Sequence, residues 1–240
     1  MTRVAVVTGG TRGIGAEVSR GLHEAGYKVV ANYHRNVEGA QRFAEETGIG
    51  IEKWDVSKFD ECQAGLKRIV ENCGPVDILI NNAGITRDVV LHRMPEEAWH
   101  DVIETNLTSC FNMCRLVIPA MRERGFGRIV NIGSINGQAG QVGQTNYAAA
   151  KAGIIGFTKA LALESAPKGI TVNAICPGYV DTEMVRAVPE KVREVIQSRI
   201  PVGRFGNPRE IAHAVLFLVA DDAMFVTGST ITVNGGQYMA

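Results

Sequence analysis

Tyr147 and Lys151 stand four residues apart in a helical stretch, so their side chains fall on one helix face. A phenol is a weak acid near neutral pH. An ammonium about 4 Å away, at an effective dielectric of about 20, favours the phenolate by up to about 4 kcal/mol. The pair therefore predicts general acid–base chemistry. Because Tyr-x-x-x-Lys is common by chance, this prediction needs support from other motifs.

A glycine-rich turn follows the first apolar run. Residues 8–15 read TGGTRGIG and continue into a helical pattern that runs to Ala25. Free N–H groups and the dipole at a helix start attract phosphate, and glycines let it approach the backbone closely. The spacing is neither Gly-x-Gly-x-x-Gly nor that of a P-loop, since no Gly-Lys-Ser/Thr follows. We interpret the turn as the site for the pyrophosphate of a dinucleotide.

The charges near the second apolar run indicate which dinucleotide binds. An NAD site commonly places an acid here, to accept a hydrogen bond from the ribose 2′-hydroxyl. This chain instead has Arg35 just past the run, in NYHRN at 32–36, and Arg12 within the glycine turn. Two cations suit the 2′-phosphate of NADP, although two solvated arginines would leave the same pattern. We therefore predict NADPH/NADP as the cofactor.

Two further patterns are weaker. Residues 165–168 match Ser-x-x-Lys, a motif of some serine acyl enzymes, but Pro167 interrupts the helix and the companion motifs are missing from the sequence. The five cysteines and five histidines lack disulfide or ligand spacing. We expect reduced, buried cysteines and no metal site.

Short β-branched runs alternate with longer amphipathic stretches along the chain. This alternation predicts a doubly wound α/β fold, with a parallel sheet between two layers of helices. No repeat, low-complexity tract or linker divides the sequence, so we expect one domain over residues 1–240. The predicted strands are 4–7, 28–32, 49–54, 76–80, 128–132, 170–175 and 230–233.

The composition excludes several classes of protein. Lys+Arg and Asp+Glu both number 25, which argues against binding to nucleic acid or to a membrane surface through net charge. The balance of 45% hydrophobic and 21% charged residues argues against disorder. No apolar run is long enough for a signal peptide or a membrane span. We expect a cytoplasmic protein without nucleic-acid or membrane partners.

The stretch 145–166 is apolar or small on almost every side. A helix that packs only on its own sheet should carry a polar outer face. Either loops bury this helix, or it forms a subunit interface together with the stretch 102–122. We favour the interface.

In their order and spacing, the motifs resemble the short-chain dehydrogenase/reductase family over essentially the whole chain. The resemblance implies a Rossmann-like sheet and hydride transfer between a nicotinamide and a carbonyl or alcohol. The segments that carry it are TGGTRGIG (8–15), Asp55-Val56, NNAG (81–84), Asn106, Ser134, YAAAK (147–151) and Pro177-Gly178.

The resemblance assigns four catalytic residues. In reduction, Tyr147 gives its proton to the carbonyl oxygen, and Ser134 hydrogen-bonds that oxygen as charge develops. Lys151 promotes proton release from Tyr147 and binds the nicotinamide ribose. Asn106 helps to hold a water that leads protons to the lysine.

The resemblance also implies contacts to the cofactor. Asp55 and Val56 would flank the adenine, residues 82–84 would line the cofactor, and residues 177–180 would border the nicotinamide. Taken singly, several of these residues would also suit turns or a helix cap. The expected cofactor-binding residues are Gly9, Thr11, Arg12, Gly13, Ile14, Gly15, Arg35, Asp55, Val56, Asn82, Ala83, Gly84, Tyr147, Lys151, Pro177, Gly178 and Val180.

Within the family, residues 84–90, 136–138, 140–147 and 177–179 are similar to NADPH-dependent reductases of acetoacetyl-CoA. This implies reduction to (R)-3-hydroxybutyryl-CoA, a polyhydroxyalkanoate precursor. Amides and a phenol can hydrogen-bond a thioester and a β-keto group, although solvated loop glutamines would look the same. Val142 stands where a phenylalanine is expected. The expected substrate contacts are Asp88, Ser134, Gln141, Gln144, Tyr147 and Tyr179.

Two alternatives remain open. A 3-oxoacyl-[acyl-carrier-protein] reductase shares the same motifs, and basic residues at 122, 124, 128 and 168 would meet an acidic carrier protein or, equally, the phosphates of CoA. A remote alternative is a non-catalytic NADP-sensing module on the same fold. The intact catalytic motifs argue against the sensing module.

The last expectations concern a lid and the assembly. Residues 179–205 contain a helical run bracketed by Pro189 and Pro201, which suits a lid over an acyl-CoA thioester. The resemblance implies a homotetramer, consistent with the apolar stretch at 145–166.

Overall fold

The structure is a computed structural model that describes residues 2–239, apart from the side chain of Met184. Met1 and Ala240, the ends of the predicted domain, lie outside the described residues. The strands are β1 (Val4–Val7), β2 (Lys28–Tyr33), β3 (Gly50–Lys53), β4 (Val76–Asn81), β5 (Gly127–Ile132), β6 (Ile170–Pro177) and β7 (Thr230–Val233).

Helices connect most of these strands. Two of them, α8 and α9, lie in the long connection between β6 and β7. The helices are α1 (Gly13–Glu24), α2 (Val37–Thr47), α3 (Phe59–Cys73), α4 (Glu96–Ile103), α5 (Ser109–Arg124), α6 (Ile135–Ala139), α7 (Thr145–Ser165), α8 (Glu183–Arg186), α9 (Glu190–Ser198) and α10 (Pro208–Val219).

The described strands form a parallel sheet in the order β3-β2-β1-β4-β5-β6-β7. Every residue of β1, β5 and β6 is buried, as is typical of parallel strands covered on both faces. In the register, Val7 pairs with Ala31 of β2 on one side and with Ile80 of β4 on the other. Because the strand order reverses at β1, a ligand crevice opens at the carboxyl ends of β1 and β4.

Two layers of helices cover the sheet. On one face α1 and α10 bury Leu22 and Val215, and on the other α3 and α5 bury Ile69 and Met113. Burying one such side chain contributes about 1.5–3 kcal/mol. The predicted three-layer α/β fold is confirmed, and the predicted strands differ from the observed ones by at most two residues at either end.

The helix ends follow local sequence signals. Asn36 caps α2 by accepting a hydrogen bond from the Gly39 N–H at 2.9 Å, and Gly48 ends the same helix with a φ of +70°. Asn207 and Glu210 form a capping box at the start of α10. Such signals fix where the loops at the crevice begin and end.

The helical stretch at 102–122 is not a single regular helix. A π-helical turn, Glu104–Thr108, separates α4 from α5. A π turn accommodates an extra residue in the helix and leaves no distinct mark on the hydrophobic periodicity, so the sequence did not reveal it. Among the described residues, none of the helices combines the length and apolar character that crossing a membrane requires.

Candidate active site

The glycine turn between β1 and α1 depends on missing side chains. Gly9 and Gly13 have φ values of +60° and +54°, in the region that favours glycine. A Cβ on Gly15 would collide with the carbonyl oxygen of Gly9. The chain can therefore turn sharply from β1 into α1 only with glycine at these places.

Thr8 and Asn82 fasten this turn to the loop after β4. The Thr8 hydroxyl accepts hydrogen bonds from the N–H groups of Asn82 and Ala83 at 2.9 and 3.0 Å. The Asn82 amide donates to the carbonyl oxygens of Thr8 and Gly9 at 2.9 and 3.2 Å. Two sequence segments that were predicted separately to bind the cofactor thus form one rigid unit.

The start of α1 fits a phosphate group. Within the described residues, no side chain caps this helix at Arg12, and its first turn contains no acid. Its free N–H groups and the helix dipole therefore favour an anion. The Arg12 side chain is exposed, Thr11 is half-buried, and Ile14 packs on the core. Together with the glycine turn, these features fit the pyrophosphate of a dinucleotide.

The ends of β2 and β3 hold the residues expected near the adenosine. Arg35 is exposed two residues past β2, and Val56 is buried after β3. One oxygen of Asp55 accepts hydrogen bonds from the N–H and hydroxyl of Ser57 at 2.9 and 2.8 Å. Its other oxygen lies 3.8 Å from Nδ1 of His34. Asp55 therefore shapes the turn after β3, on the side where Arg35 lies.

The π turn buries Asn106 completely. Both ends of its side-chain amide bind the backbone of Ile85. The amide oxygen accepts from the Ile85 N–H at 2.8 Å, and the amide NH2 donates to the Ile85 carbonyl oxygen at 3.0 Å. A Cβ on the adjacent Gly84 would lie 3.3 Å from the Asn106 oxygen and 3.8 Å from Nζ of Lys151. The loop after β4, the π turn and Lys151 therefore meet at one place.

Lys151 brings a buried positive charge to the carboxyl end of β5. Its side chain is only 4% exposed, and Nζ donates to the carbonyl oxygen of Ile132 at 2.7 Å. The ammonium lies 5.6 Å from the ring centre of Tyr147, one turn earlier in α7. A buried charge with a neutral partner strongly favours negative charge close by.

Ser134 follows β5 and caps the short helix α6. Its hydroxyl oxygen accepts a hydrogen bond from the Asn136 N–H at 3.1 Å. A Cβ on Gly137 would collide with the backbone of Lys151, so glycine lets α6 pack directly on α7. The fold thus brings Ser134 to the same end of the sheet as Lys151.

The end of β6 supplies the segment predicted to border the nicotinamide. Pro177 is the last residue of β6, and the Gly178 N–H donates to the carbonyl oxygen of Val233 at 3.0 Å. Val180 pairs with Gly206 in an isolated β-bridge. Pro177, Gly178 and Val180 therefore lie at or just past the carboxyl end of β6, the strand that neighbours β5.

The four candidate substrate contacts other than Ser134 and Tyr147 differ in what they bind. The Gln144 amide donates to Asp88 at 2.8 Å and accepts from the Asn136 amide at 2.8 Å. The side chains of Gln141, which is exposed, and Tyr179, which is half-buried, make no hydrogen bond within the described residues. Gln141 and Tyr179 are therefore free to meet a ligand, whereas Asp88 and Gln144 are engaged with the protein.

Four of the five cysteines are poor nucleophiles. Burial raises the pKa of Cys62 to about 12 and that of Cys110 to about 11, and it raises those of Cys114 and Cys176 as well. In the part of the chain that the structure describes, no three His, Cys, Asp or Glu side chains are grouped to hold a metal. The candidate residues at the crevice supply hydroxyl, phenol, amide, carboxylate and ammonium groups.

The basic residues considered for a carrier protein lie elsewhere. Arg128 is the second residue of β5, is 2% exposed and stacks 4.4 Å from the ring centre of Phe126. Arg124 donates to the carbonyl oxygen of Val76, the first residue of β4. These arginines lie at the amino ends of the strands. At about 3.3 Å per residue along β5, that end of the sheet is about 20 Å from Ser134. These cations do not line the crevice of their own chain.

A model of the family described as "Enoyl-(Acyl carrier protein) reductase" matches residues 9–237. The chain belongs to the short-chain dehydrogenase/reductase family. Members of this family are oxidoreductases that use a nicotinamide cofactor, which fits the cradle of glycines at the start of α1.

Relatives with established names match the chain over essentially its full length. An acetoacetyl-CoA reductase of Rhizobium meliloti (strain 1021) is 63% identical, with 100% of both chains covered. One of Shinella zoogloeoides is 60% identical, with 99% of both covered. A 3-oxoacyl-[acyl-carrier-protein] reductase FabG of Vibrio harveyi is 45% identical, covering 99% of this chain and 98% of the relative.

Three residues that organise this short-chain dehydrogenase/reductase site were not singled out from the sequence. Thr8 locks the glycine turn, and Asn136 links Ser134 to Gln144. The buried Asn146 amide donates to the carbonyl oxygens of Arg87 and Ala98, at 3.2 and 3.0 Å. Each stands within or beside a recognisable motif, but only the folded contacts show what it binds.

Proposed function

We propose that the chain is an NADPH-dependent acetoacetyl-CoA reductase that forms (R)-3-hydroxybutyryl-CoA, a polyhydroxyalkanoate precursor. The observation that carries this proposal is that relatives 58–63% identical over the full chain bear the name acetoacetyl-CoA reductase. The described residues support it, since a dinucleotide cradle and a set of proton-transfer groups meet at one crevice.

In the proposed reaction, Tyr147 gives its proton to the 3-oxo oxygen of the substrate. Ser134 already accepts a hydrogen bond from the Asn136 N–H, so its own O–H proton is free to donate to the same oxygen. One of the three N–H groups of Lys151 donates to the carbonyl oxygen of Ile132. The other two are available for the nicotinamide ribose and the proton path. NADPH, when bound, supplies the hydride that reduces the carbonyl carbon.

Asn106 has a structural part in this mechanism. Both ends of its amide hold Ile85 in place, while its neighbour Gly84 approaches Lys151. The proposed proton path to Lys151 therefore runs through a region whose backbone is fixed. A water beside the Asn106 segment would pass protons to the lysine after Tyr147 has given up its own.

We assign NADPH rather than NADH from the charges near the adenosine. Arg12 and Arg35 are exposed at the glycine turn and at the end of β2. Asp55, the nearby acid after β3, is already bound to Ser57. Two guanidinium groups suit a 2′-phosphate through bidentate hydrogen bonds.

The proposed lid spans residues 179–205 within a domain of residues 1–240. Two backbone hydrogen bonds join its ends. The Gly206 N–H donates to the carbonyl oxygen of Tyr179 at 2.9 Å, and the Asp181 N–H donates to the carbonyl oxygen of Gly206 at 2.8 Å. A segment with a closed base can move as a unit over a bulky thioester. We place Gln141, and Tyr179 at the base of this lid, against the acyl-CoA. We further propose a cytoplasmic homotetramer.

A 3-oxoacyl-[acyl-carrier-protein] reductase is the second candidate, because relatives of that name are 44–47% identical over nearly the full chain. The deciding experiment compares NADPH oxidation with acetoacetyl-CoA and acetoacetyl-carrier protein at matched low concentrations. We expect a much higher kcat/KM for the CoA ester. The reverse ratio would overturn the assignment in favour of the carrier-protein reductase.

The variant Y147F separates an enzyme from a cofactor-sensing module. Losing the general acid should lower kcat by at least about 100-fold, while the Kd for NADPH, measured by fluorescence titration, stays within about threefold of wild type. If Y147F kept the full rate, Tyr147 would not be the proton donor and the proposed mechanism would fail.

A further inference from the structure

A chain of side-chain hydrogen bonds spans the crevice between the loop after β4 and the loop after β5. The Asn136 amide donates to Gln144 at 2.8 Å, and the Gln144 amide donates to Asp88 at 2.8 Å. The Val89 N–H, beside Asp88, donates to the carbonyl oxygen of Gly143 at 2.8 Å. We call Asp88, Gln144 and Asn136 the amide relay.

The carboxylate at one end fixes the direction of the whole relay. An ionised carboxylate only accepts hydrogen bonds, so Gln144 must turn its NH2 group toward Asp88. The oxygen of Gln144 then faces Asn136, and Asn136 must present its own NH2 group. Each amide has one donor end and one acceptor end. Asp88 therefore sets the orientation of the Asn136 amide through the intervening Gln144.

The relay ends beside the hydroxyl of Ser134. Asn136 is in the first turn of α6, and its backbone N–H donates to the Ser134 oxygen at 3.1 Å. α6 has only five residues, so it depends on such tertiary contacts to hold its shape. A fixed Asn136 side chain fixes the N–H beside it, which in turn directs the lone pairs and the proton of Ser134.

We propose that Asp88, Gln144 and Asn136 are positioning residues that orient the Ser134 hydroxyl toward the reacting carbonyl. In this proposal Asp88 and Gln144 act on Ser134 through the protein. The inference rests on the proposed function only in taking Ser134 as the donor to a carbonyl oxygen. It assigns Asn136, which the family motifs leave without a role, to the same unit.

The test exchanges donors and acceptors along the relay without changing its shape. Q144E replaces the donating NH2 with a carboxylate oxygen that faces the Asp88 carboxylate, so the relay breaks. D88N keeps an acceptor for Gln144 but no longer fixes the direction of the relay, because an amide can also donate. In D88N/Q144E the new amide can donate to the new carboxylate, which also accepts from Asn136, so the relay is complete again.

For Q144E we expect kcat to fall by about 10- to 100-fold while KM stays within about threefold. A misdirected Ser134 donor stabilises the transition state less, but it changes substrate binding little. D88N, whose amide can turn either end toward Gln144, should lose less activity than Q144E, and D88N/Q144E should regain most of the rate that Q144E loses. Q63E makes the same chemical change at an exposed position of α3 and should leave kcat unchanged. All five proteins are assayed with NADPH and acetoacetyl-CoA.

A carrier-free substrate separates positioning from substrate contact. Ethyl acetoacetate has the 3-oxo group but no CoA, so a relay that orients Ser134 should show the same pattern of losses and rescue with it. If Gln144 instead contacts the CoA thioester, Q144E should spare ethyl acetoacetate, and D88N should not rescue Q144E with acetoacetyl-CoA. Either result would overturn the proposal.

The pH dependence of Q144E gives an independent readout. Two carboxylates in contact favour uptake of one proton, which restores a donor between them, so the rate of Q144E should recover as the pH falls. Arg87, the residue before Asp88, and Asp101, whose carboxylate lies 3.5 Å from the Arg87 guanidinium, are unchanged in every variant. The ratio of Q144E to D88N/Q144E should therefore rise toward acid, and a flat ratio would contradict the relay.

The outcomes also separate this proposal from the proposed function. A wild-type protein that reduces ethyl acetoacetate but neither acetoacetyl thioester would refute the substrate assignment, while the relay is still tested on the simple ester. A wild-type protein active on acetoacetyl-CoA whose D88N/Q144E variant remains as slow as Q144E would refute the relay alone.

Discussion

At the scale of single residues, cofactor choice should depend on the exposed arginine that follows β2. We predict that R35E lowers kcat/KM for NADPH by about 10- to 100-fold, mainly through KM, because a charged hydrogen bond to the 2′-phosphate is lost. The values for NADH should change little. The control R42E alters another exposed arginine, on α2, and steady-state kinetics with both cofactors should show no change in preference. Equal losses with NADPH and NADH in R35E would contradict the assigned phosphate site.

The residues that the sequence revealed and those it did not differ in a physical way. The helical spacing of Tyr147 and Lys151 is visible in the sequence. So is the run of glycines, which permits the turn to approach a phosphate closely. Asn136 matters because its amide meets Gln144, eight residues away, and through it Asp88. An asparagine in a loop has many uses, and only the fold decides among them.

At the scale of elements, the start of α10 should be sensitive to acid. The Arg204 guanidinium and the backbone N–H of Asn207 hold the pKa of Glu210 at about 2, below its ordinary value of 4.5. Because the pKa is lower in the folded protein, this stabilisation is complete above about pH 4.5 and is lost as the pH falls toward 2.

We therefore expect E210Q to lower the thermal midpoint at pH 7 by about 2 °C, a small effect because the pair is exposed to solvent. The difference from wild type should shrink as the pH is lowered from 4.5 toward 2. E45Q, at an exposed position in the last turn of α2, should match wild type at both pH values. A difference that persists at the lowest pH would show that charge at Glu210 is not its cause.

Elements were predictable where periodicity or a cap marks them. All seven strands were located because parallel strands are apolar runs bounded by polar or glycine-rich turns. The π turn at 104–108 and the five-residue helix α6 escaped detection, since both are shorter than any pattern that periodicity can resolve. Both of these elements position catalytic candidates, Asn106 and Ser134.

At the scale of the whole molecule, α7 has more apolar surface than one chain can bury. Ile154 and Ala162 face the core, yet Leu163 on the same helix is 81% exposed and Phe111 on α5 is 51% exposed. Large exposed apolar side chains on neighbouring helices mark surfaces that other proteins cover. Because α7 also holds the catalytic candidates Tyr147 and Lys151, a partner subunit here would stiffen the helix on which the proposed mechanism depends.

We predict that the purified protein is a tetramer and that L163E converts it to smaller species, because an unpaired carboxylate would be buried at the interface. Light scattering after size-exclusion chromatography measures the mass directly. V70E, which places the same charge on an exposed apolar position of α3, should leave the tetramer intact. A monomeric wild type, or an L163E variant of unchanged mass, would contradict an interface on α7. Loss of kcat in step with dissociation would show that the interface supports the Tyr147–Lys151 pair as well as the assembly.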